Sequence, residues 1–214
     1  MNLLLRFFTV VLIVLPCVKA YADPINVTFW SVPATTADDV PTTGSVPGPG
    51  ATEWGTFTTN TINFSADTGP YTIGNFLAFG GVTSVNYMNG ASGSTSIIDV
   101  LFDFTGTAFF TTGQTFSVVH DDGLDLYVGG SLVEGLPGET PPITSTFTYT
   151  GPTGDEPFEF IYANGPPNQA DFQITLVPAV TTLAASEVPE PSSIALLGSG
   201  ILGMVGVIRC RFNK

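Results

Sequence analysis

The chain has 214 residues, 43% of them hydrophobic and only 11% charged, with five Lys or Arg against 18 Asp or Glu for a net charge of −13. The five cations are Arg6, Lys19, Arg209, Arg211 and Lys214, so residues 23–208 hold all 18 carboxylates and no Lys or Arg. That interval cannot neutralise phosphates, which excludes nucleic acid as a partner, and its acids must be solvated, hydrogen-bonded or metal-bound because it offers them no Lys or Arg to pair with.

At the N-terminus, Arg6 precedes the apolar run Phe7–Val18, which is broken only by Thr9, Pro16 and Cys17 and is followed by Ala20-Tyr21-Ala22. Small residues at −3 and −1 predict a signal peptide over residues 1–22, cut after Ala22 to leave Asp23 first, with Ala20 the alternative site. The chain is therefore expected to be exported. Cys17 leaves with the signal and Cys210 lies near the C-terminus, so the body of about 165 residues has no thiol. It can have no disulfide, thiolate nucleophile or cysteine metal site, and it is long enough for one domain with its own core.

The body reads as β. The expected strands are Ile25–Trp30, Thr56–Phe64, Tyr71–Phe79, Ile97–Phe104, Thr115–His120, Leu124–Val128, Thr144–Thr150, Pro157–Tyr162 and Ala170–Val177. Several alternate strictly: Phe158, Phe160 and Tyr162 share one face, as do Phe172, Ile174 and Leu176. Gly, Pro, Asn and Asp separate the runs at the spacing of a sandwich or barrel. The segment 34–50, with Pro41, Pro47, Pro49, Gly44, Gly48 and Gly50, reads as a long loop. The fold class these signals predict is an antiparallel β-sandwich, jelly-roll-like, over residues 23–180, followed by a tether at 181–187. Trp30 and Trp54 are placed in packing, with stacking on sugar rings the alternative.

One internal stretch stands out: His120-Asp121-Asp122-Gly123-Leu124-Asp125-Leu126-Tyr127-Val128-Gly129-Gly130. In a regular strand, successive side chains point to opposite faces, so the carboxylates of Asp121 and Asp122 can converge only if the chain bends between them. The spacing of Asp121-Asp122-Gly123 and Leu126-Tyr127-Val128 resembles the carbohydrate-binding domain first named from anthrax protective antigen and found in yeast flocculins. Pro157–Leu176 resembles that family's closing hairpin. The resemblance implies a cis peptide between Asp121 and Asp122, and a calcium ion held by those side chains together with Asn164, backbone carbonyls, water and sugar hydroxyls. Calcium suits such an all-oxygen donor set. The other reading is a plain acidic hairpin turn, since Asp-Gly is a common turn pair and Asp38-Asp39 is a second acidic pair with no motif around it. His120, in phase with Phe116 and Val118, reads as a half-buried structural histidine and not as a ligand.

No catalytic residue is assigned: the chain has no Gly-x-Ser-x-Gly elbow, no HExxH and no phosphate loop. Two carboxylates would suffice for a glycosidase, but 18 acids supply close pairs by chance.

At the C-terminus, Pro189-Glu190-Pro191 leads into an uncharged span at 194–208, followed by Arg209, Arg211 and Lys214. Fifteen residues give about 22 Å of helix against a hydrocarbon core of roughly 30 Å, and Gly198, Gly200, Gly203 and Gly206 weaken it further. The order of motif, span and basic end over 188–214 resembles the PEP-CTERM sorting domain of exported proteins in Gram-negative bacteria that make extracellular polysaccharide. That resemblance implies a short transmembrane helix as a membrane intermediate and processing near the motif by an exosortase-like enzyme. The whole chain then reads as a non-enzymatic protein of the cell envelope or extracellular matrix that binds or organises polysaccharide, with no cofactor required beyond the calcium just described. A glycan-cleaving enzyme of the same compartment is the alternative.

Overall fold

The computed structural model of the chain describes residues 24–178, except residues 38, 42–43 and 167–168. The predicted signal peptide, tether and sorting segment lie outside the described residues. Among the described residues, no helix is long and apolar enough to cross a membrane.

Two antiparallel sheets form the body. The larger has eight strands in the order β4-β2-β1-β5-β10-β7-β8, with β12 added alongside β5. In chain order these are β1 (Ile25–Ser31), β2 (Thr52–Thr59), β4 (Val85–Tyr87), β5 (Val100–Phe110), β7 (Leu124–Val128), β8 (Ser131–Leu136), β10 (Gly154–Asn164) and β12 (Val177–Pro178). The smaller sheet runs β3-β11-β6-β9 and uses β3 (Ile62–Ser65), β6 (Thr115–Asp121), β9 (Ile143–Thr148) and β11 (Asp171–Ile174). The expected all-β antiparallel sandwich is what the chain forms.

Alternation builds the core. Phe102, Phe104 and Phe110 of β5, Phe158, Phe160 and Tyr162 of β10 and Phe172 of β11 are all buried. Rings meet between the sheets, with centroids 5.1 Å apart for Phe104 and Phe172 and 5.6 Å for Phe110 and Phe116. A smaller apolar cluster of Val32, Ala37, Val40, Leu101, Tyr127, Ile161 and Ala163 includes outward residues of β5, β7 and β10, with Trp30 packed against it. Residues 33–51 contribute to that cluster; this expected loop contains one short helix, α1 (Ala34–Ala37), and its Ala37 is fully buried. Trp54 packs against the main core.

Three expectations need correction. The run Thr56–Phe64 is not one strand: β2 ends at Thr59 and β3 begins at Ile62 in the other sheet. Between them the Thr59 hydroxyl donates to the Thr61 carbonyl at 2.9 Å and closes a tight turn. Tyr71–Phe79 is not a strand but contains the helix α2 (Ile73–Phe79), capped by the Thr72 side chain, which accepts from the Asn75 N–H at 3.3 Å. Its buried residues Ile73, Phe76 and Leu77 follow the i, i+3, i+4 pattern of one helical turn, too short to register as a sustained period. The closing hairpin is also absent. β10 and β11 are consecutive, but they lie in different sheets and pair with β5 and β7 and with β3 and β6, respectively.

Candidate functional site

The Asp121-Asp122-Gly123 segment carries the chain from β6 in the smaller sheet to β7 in the larger one. It is therefore a crossing between layers, and the hairpin-turn reading of Asp122-Gly123 does not fit. Gly123 is required for space: a Cβ there would lie 2.5 Å from the Pro137 carbonyl oxygen and 2.6 Å from Val40 Cγ2. Its own carbonyl accepts from the Ala163 N–H at 3.0 Å, which ties the crossing to β10. The hairpin turn comes later, where Gly129 and Gly130, at φ 59° and 75°, join β7 to β8.

The Asp121–Asp122 peptide is cis, as the resemblance implies. Both side chains are buried, at 4% and 2% exposure, and the two carboxyls lie within hydrogen-bonding reach of one another. Asp122 accepts from two backbone N–H groups, Gly165 at 2.7 Å and Thr140 at 3.1 Å. It thereby holds together the loop after β10 and the loop before β9. The fully buried Tyr162 hydroxyl donates to the Asp121 carbonyl oxygen, and Asn164 Oδ1 stands 3.4 Å from the same hydroxyl. Asn164 is fully buried, and its Nδ2 donates to the carbonyls of Ile97 at 3.0 Å and Gly165 at 3.3 Å. The amide orientation is fixed with its oxygen towards Tyr162. Asp121, Asp122 and Asn164 are thus brought together, 43 residues apart at the extremes.

His120 is fully buried rather than half-buried, because β9 and β11 cover it on both sides. Its Nδ1 lies 2.6 Å from the Asp122 carbonyl oxygen and its Nε2 lies 2.9 Å from Ser145 Oγ. Both ring nitrogens are occupied, and the ring supports the bend from beneath.

Register adds acids that the sequence pattern did not reveal. Asp171 of β11 pairs with Asp121 on one side and Ser65 on the other, and Asp67 comes within hydrogen-bonding reach of Asp171. Burial, then the nearby Asp122, Asp171 and Asp67, push the Asp121 carboxyl from 3.8 up to about 7. Burial and the Asp67 carboxyl raise Asp171 to about 6, with Ser65 and Gln173 acting in the opposite direction. Tyr162 is held well above its ordinary value by burial first, and then by Asp121, Asp122 and Asp171. Burial is the first cause of all three shifts, and like charge that no Lys or Arg offsets adds to it.

Among the described residues, no group of three or more His, Cys, Asp or Glu side chains is gathered closely enough to hold an ion unaided. A cation at Asp121 and Asp122 therefore needs the Asn164 amide oxygen and backbone carbonyls as well. The donor set fits a hard cation: it is all oxygen and buried, and the Asn164 amide is pinned by its nitrogen with its oxygen facing the Tyr162 hydroxyl.

Residues 187–211 match the PEP-CTERM protein-sorting motif. The chain carries a sorting signal. It marks an exported protein directed to the cell surface. No curated protein matches the sequence. The fold is similar to the PA14 domain of the MpAFP antifreeze protein, at 16% identity over 77% of this chain and 85% of that one, with a TM-score of 0.53. It is also similar to the PA14 sugar-binding domain from an RTX adhesin, at 19% identity over 74% and 91%, with a TM-score of 0.51. The fold is PA14-like. Within this PA14-like frame the structure brings together Asp121 and Asp122, which the sequence motif singled out, and Asn164, which the family resemblance implied. Asp67, Asp171, Tyr162 and the N–H donors of Thr140 and Gly165 were not legible, because each reaches the site through pairing between distant strands or through a loop backbone.

Proposed function

We propose that the protein is exported, sorted through its PEP-CTERM segment by an exosortase-like enzyme after a single-pass membrane intermediate, and retained in the envelope or extracellular matrix, where it binds polysaccharide without cleaving it. The observation that carries the binding reading is the convergence of Asp121, Asp122 and Asn164 in a buried acidic cluster whose geometry is fixed by Tyr162, Gly165 and Thr140. Asp121, Asp122 and Asn164 would hold a calcium ion, which would supply a positive centre for pairs of sugar hydroxyls. The RTX adhesin domain of similar fold is described as sugar-binding, and that supports the same role here.

The test is binding to a glycan array in calcium and in chelator, with release of reducing sugar measured on every glycan bound. Calcium-dependent binding that Asp122→Ala abolishes, with no sugar released, is the expected result. Turnover would favour the glycosidase, and calcium-independent binding would remove the ion from the reading. For sorting, intact mass in a host with the enzyme should lack residues 194–214, and recovery of the full tail would favour a permanent anchor.

A further inference from the structure

The outward face of the smaller sheet holds a groove that the site above does not use. Along β3, β11 and β6 the residues pointing away from the core fall in register: Ser65, Asp171 and Asp121 form one row, and Asn63, Gln173 and Val119 the next. Beyond them Asn60, Thr61, Ser117 and Thr175 line the end of a cavity of about 480 Å³. The groove's apolar contacts come from Ile25, Ile62, Val119, Ile174 and Leu176. The two regions are physically joined, since Gln173 Nε2 donates to Asp171 Oδ1 at 3.2 Å. From Asp171 to Thr175 is four residues, roughly 13 Å along the strand.

The chemistry of the lining selects the occupant. Every polar group in the cavity is an uncharged amide or hydroxyl, and residues 23–208 contain no Lys or Arg. An anionic ligand would find no cation there and would meet the acidic row at one end. A cationic ligand would find no carboxylate in the cavity itself. Amides and hydroxyls, each able to donate and accept, match the mixed donor and acceptor pattern of sugar hydroxyls. Among the described residues, none hydrogen-bonds the side chains of Asn60, Asn63, Ser117 or Thr175, so their polar atoms are available. The volume lies within the range of about 300–1,000 Å³ usual for small-ligand sites, enough for a short oligosaccharide.

We propose that this groove is a second saccharide subsite, taking neutral sugar units of the same chain whose leading unit sits at Asp121 and Asp122. The protein then reads a stretch of polysaccharide and not a single terminal sugar. This rests on the binding reading of the acidic site, and two sets of variants separate the two.

The experiment titrates the mature protein with neutral gluco-, galacto- and manno-oligosaccharides of one to six units, in calcium and in chelator. Asn63→Ala removes an amide from the groove and Ser117→Tyr fills it. Both residues are exposed, so neither change disturbs the core, and an unchanged melting temperature checks this. Affinity should rise at least tenfold from one unit to four. Both groove variants should lose that rise and keep single-sugar binding, while Asp122→Ala lowers affinity at every length. Affinity that does not grow with length, or growth that survives both groove variants, overturns the subsite alone. Binding that needs the groove but ignores Asp122→Ala and chelator leaves the groove standing and overturns the reading of the acidic site. If no oligosaccharide in the series binds, both fall.

Discussion

Replacing Asp121 by Asn should have opposite effects on stability with and without calcium. Asp121 is 4% exposed, and its carboxyl has the Asp122 carboxyl as its hydrogen-bonding neighbour, with the acids Asp171 and Asp67 nearby. The rise of its carboxyl from 3.8 to about 7, at about 1.4 kcal/mol per pH unit, sets an upper bound of about 4 kcal/mol on the cost of ionising it in the folded state. Proton sharing among the coupled acids reduces this to about 2 kcal/mol at pH 8. Asparagine has the same shape and no charge. In chelator at pH 8, Asp121→Asn should therefore raise the melting temperature by about 4–8 °C for a domain of this size. In calcium the order should reverse. A ligand that binds only the folded wild type adds about 2.7 kcal/mol at a hundredfold excess over Kd, and the variant, lacking one ligand, gains little. Thermal melts followed by circular dichroism at pH 8, in chelator and in millimolar calcium, measure all four states. A variant less stable than wild type in both conditions would refute the argument, because Asp121 would then be held by favourable contacts and not by a missing cation.

Asp103, on the outward face of β5, has its carboxyl pushed from 3.8 to about 7 by burial first and then by Glu159, and its Oδ1 has no hydrogen-bond partner. With the folded value above the unfolded one, its contribution is fully present below about pH 4 and is lost as pH rises through 7. Urea unfolding should show stability falling between pH 5 and pH 8, and Asp103→Asn should flatten that fall while leaving the part due to Asp121 and Asp171. An unchanged slope would count against the buried carboxyl. Gly123→Ala drives a methyl against the Pro137 carbonyl and Val40, so it should cost about 1–3 kcal/mol and weaken glycan binding. A neutral result would mean that the crossing has room to spare.

Much of the fold was legible because the strands obey a period of two: Phe158, Phe160 and Tyr162 had to share a face, and in the structure they are buried together. The same alternation failed at Ile73, Phe76 and Leu77, where one helical turn leaves too few repeats to distinguish itself from a strand. It failed again at Asn60-Thr61, where the strand-favouring threonines on either side mask the point at which the chain changes sheets. By itself the sequence determined the sorting signal, the absence of cations from the body and the Asp121-Asp122-Gly123 motif, since these reside in local order and composition; Asn164 entered only through the family resemblance. Tertiary structure alone decided that Asp122-Gly123 bridges two layers instead of turning a hairpin, that Asp171 stands beside Asp121, and that Tyr162 reaches the Asp121 carbonyl. The physical reason is that strand pairing between residues far apart in the chain is fixed by how the two sheets bury their aromatic faces against each other, and no local pattern encodes that register.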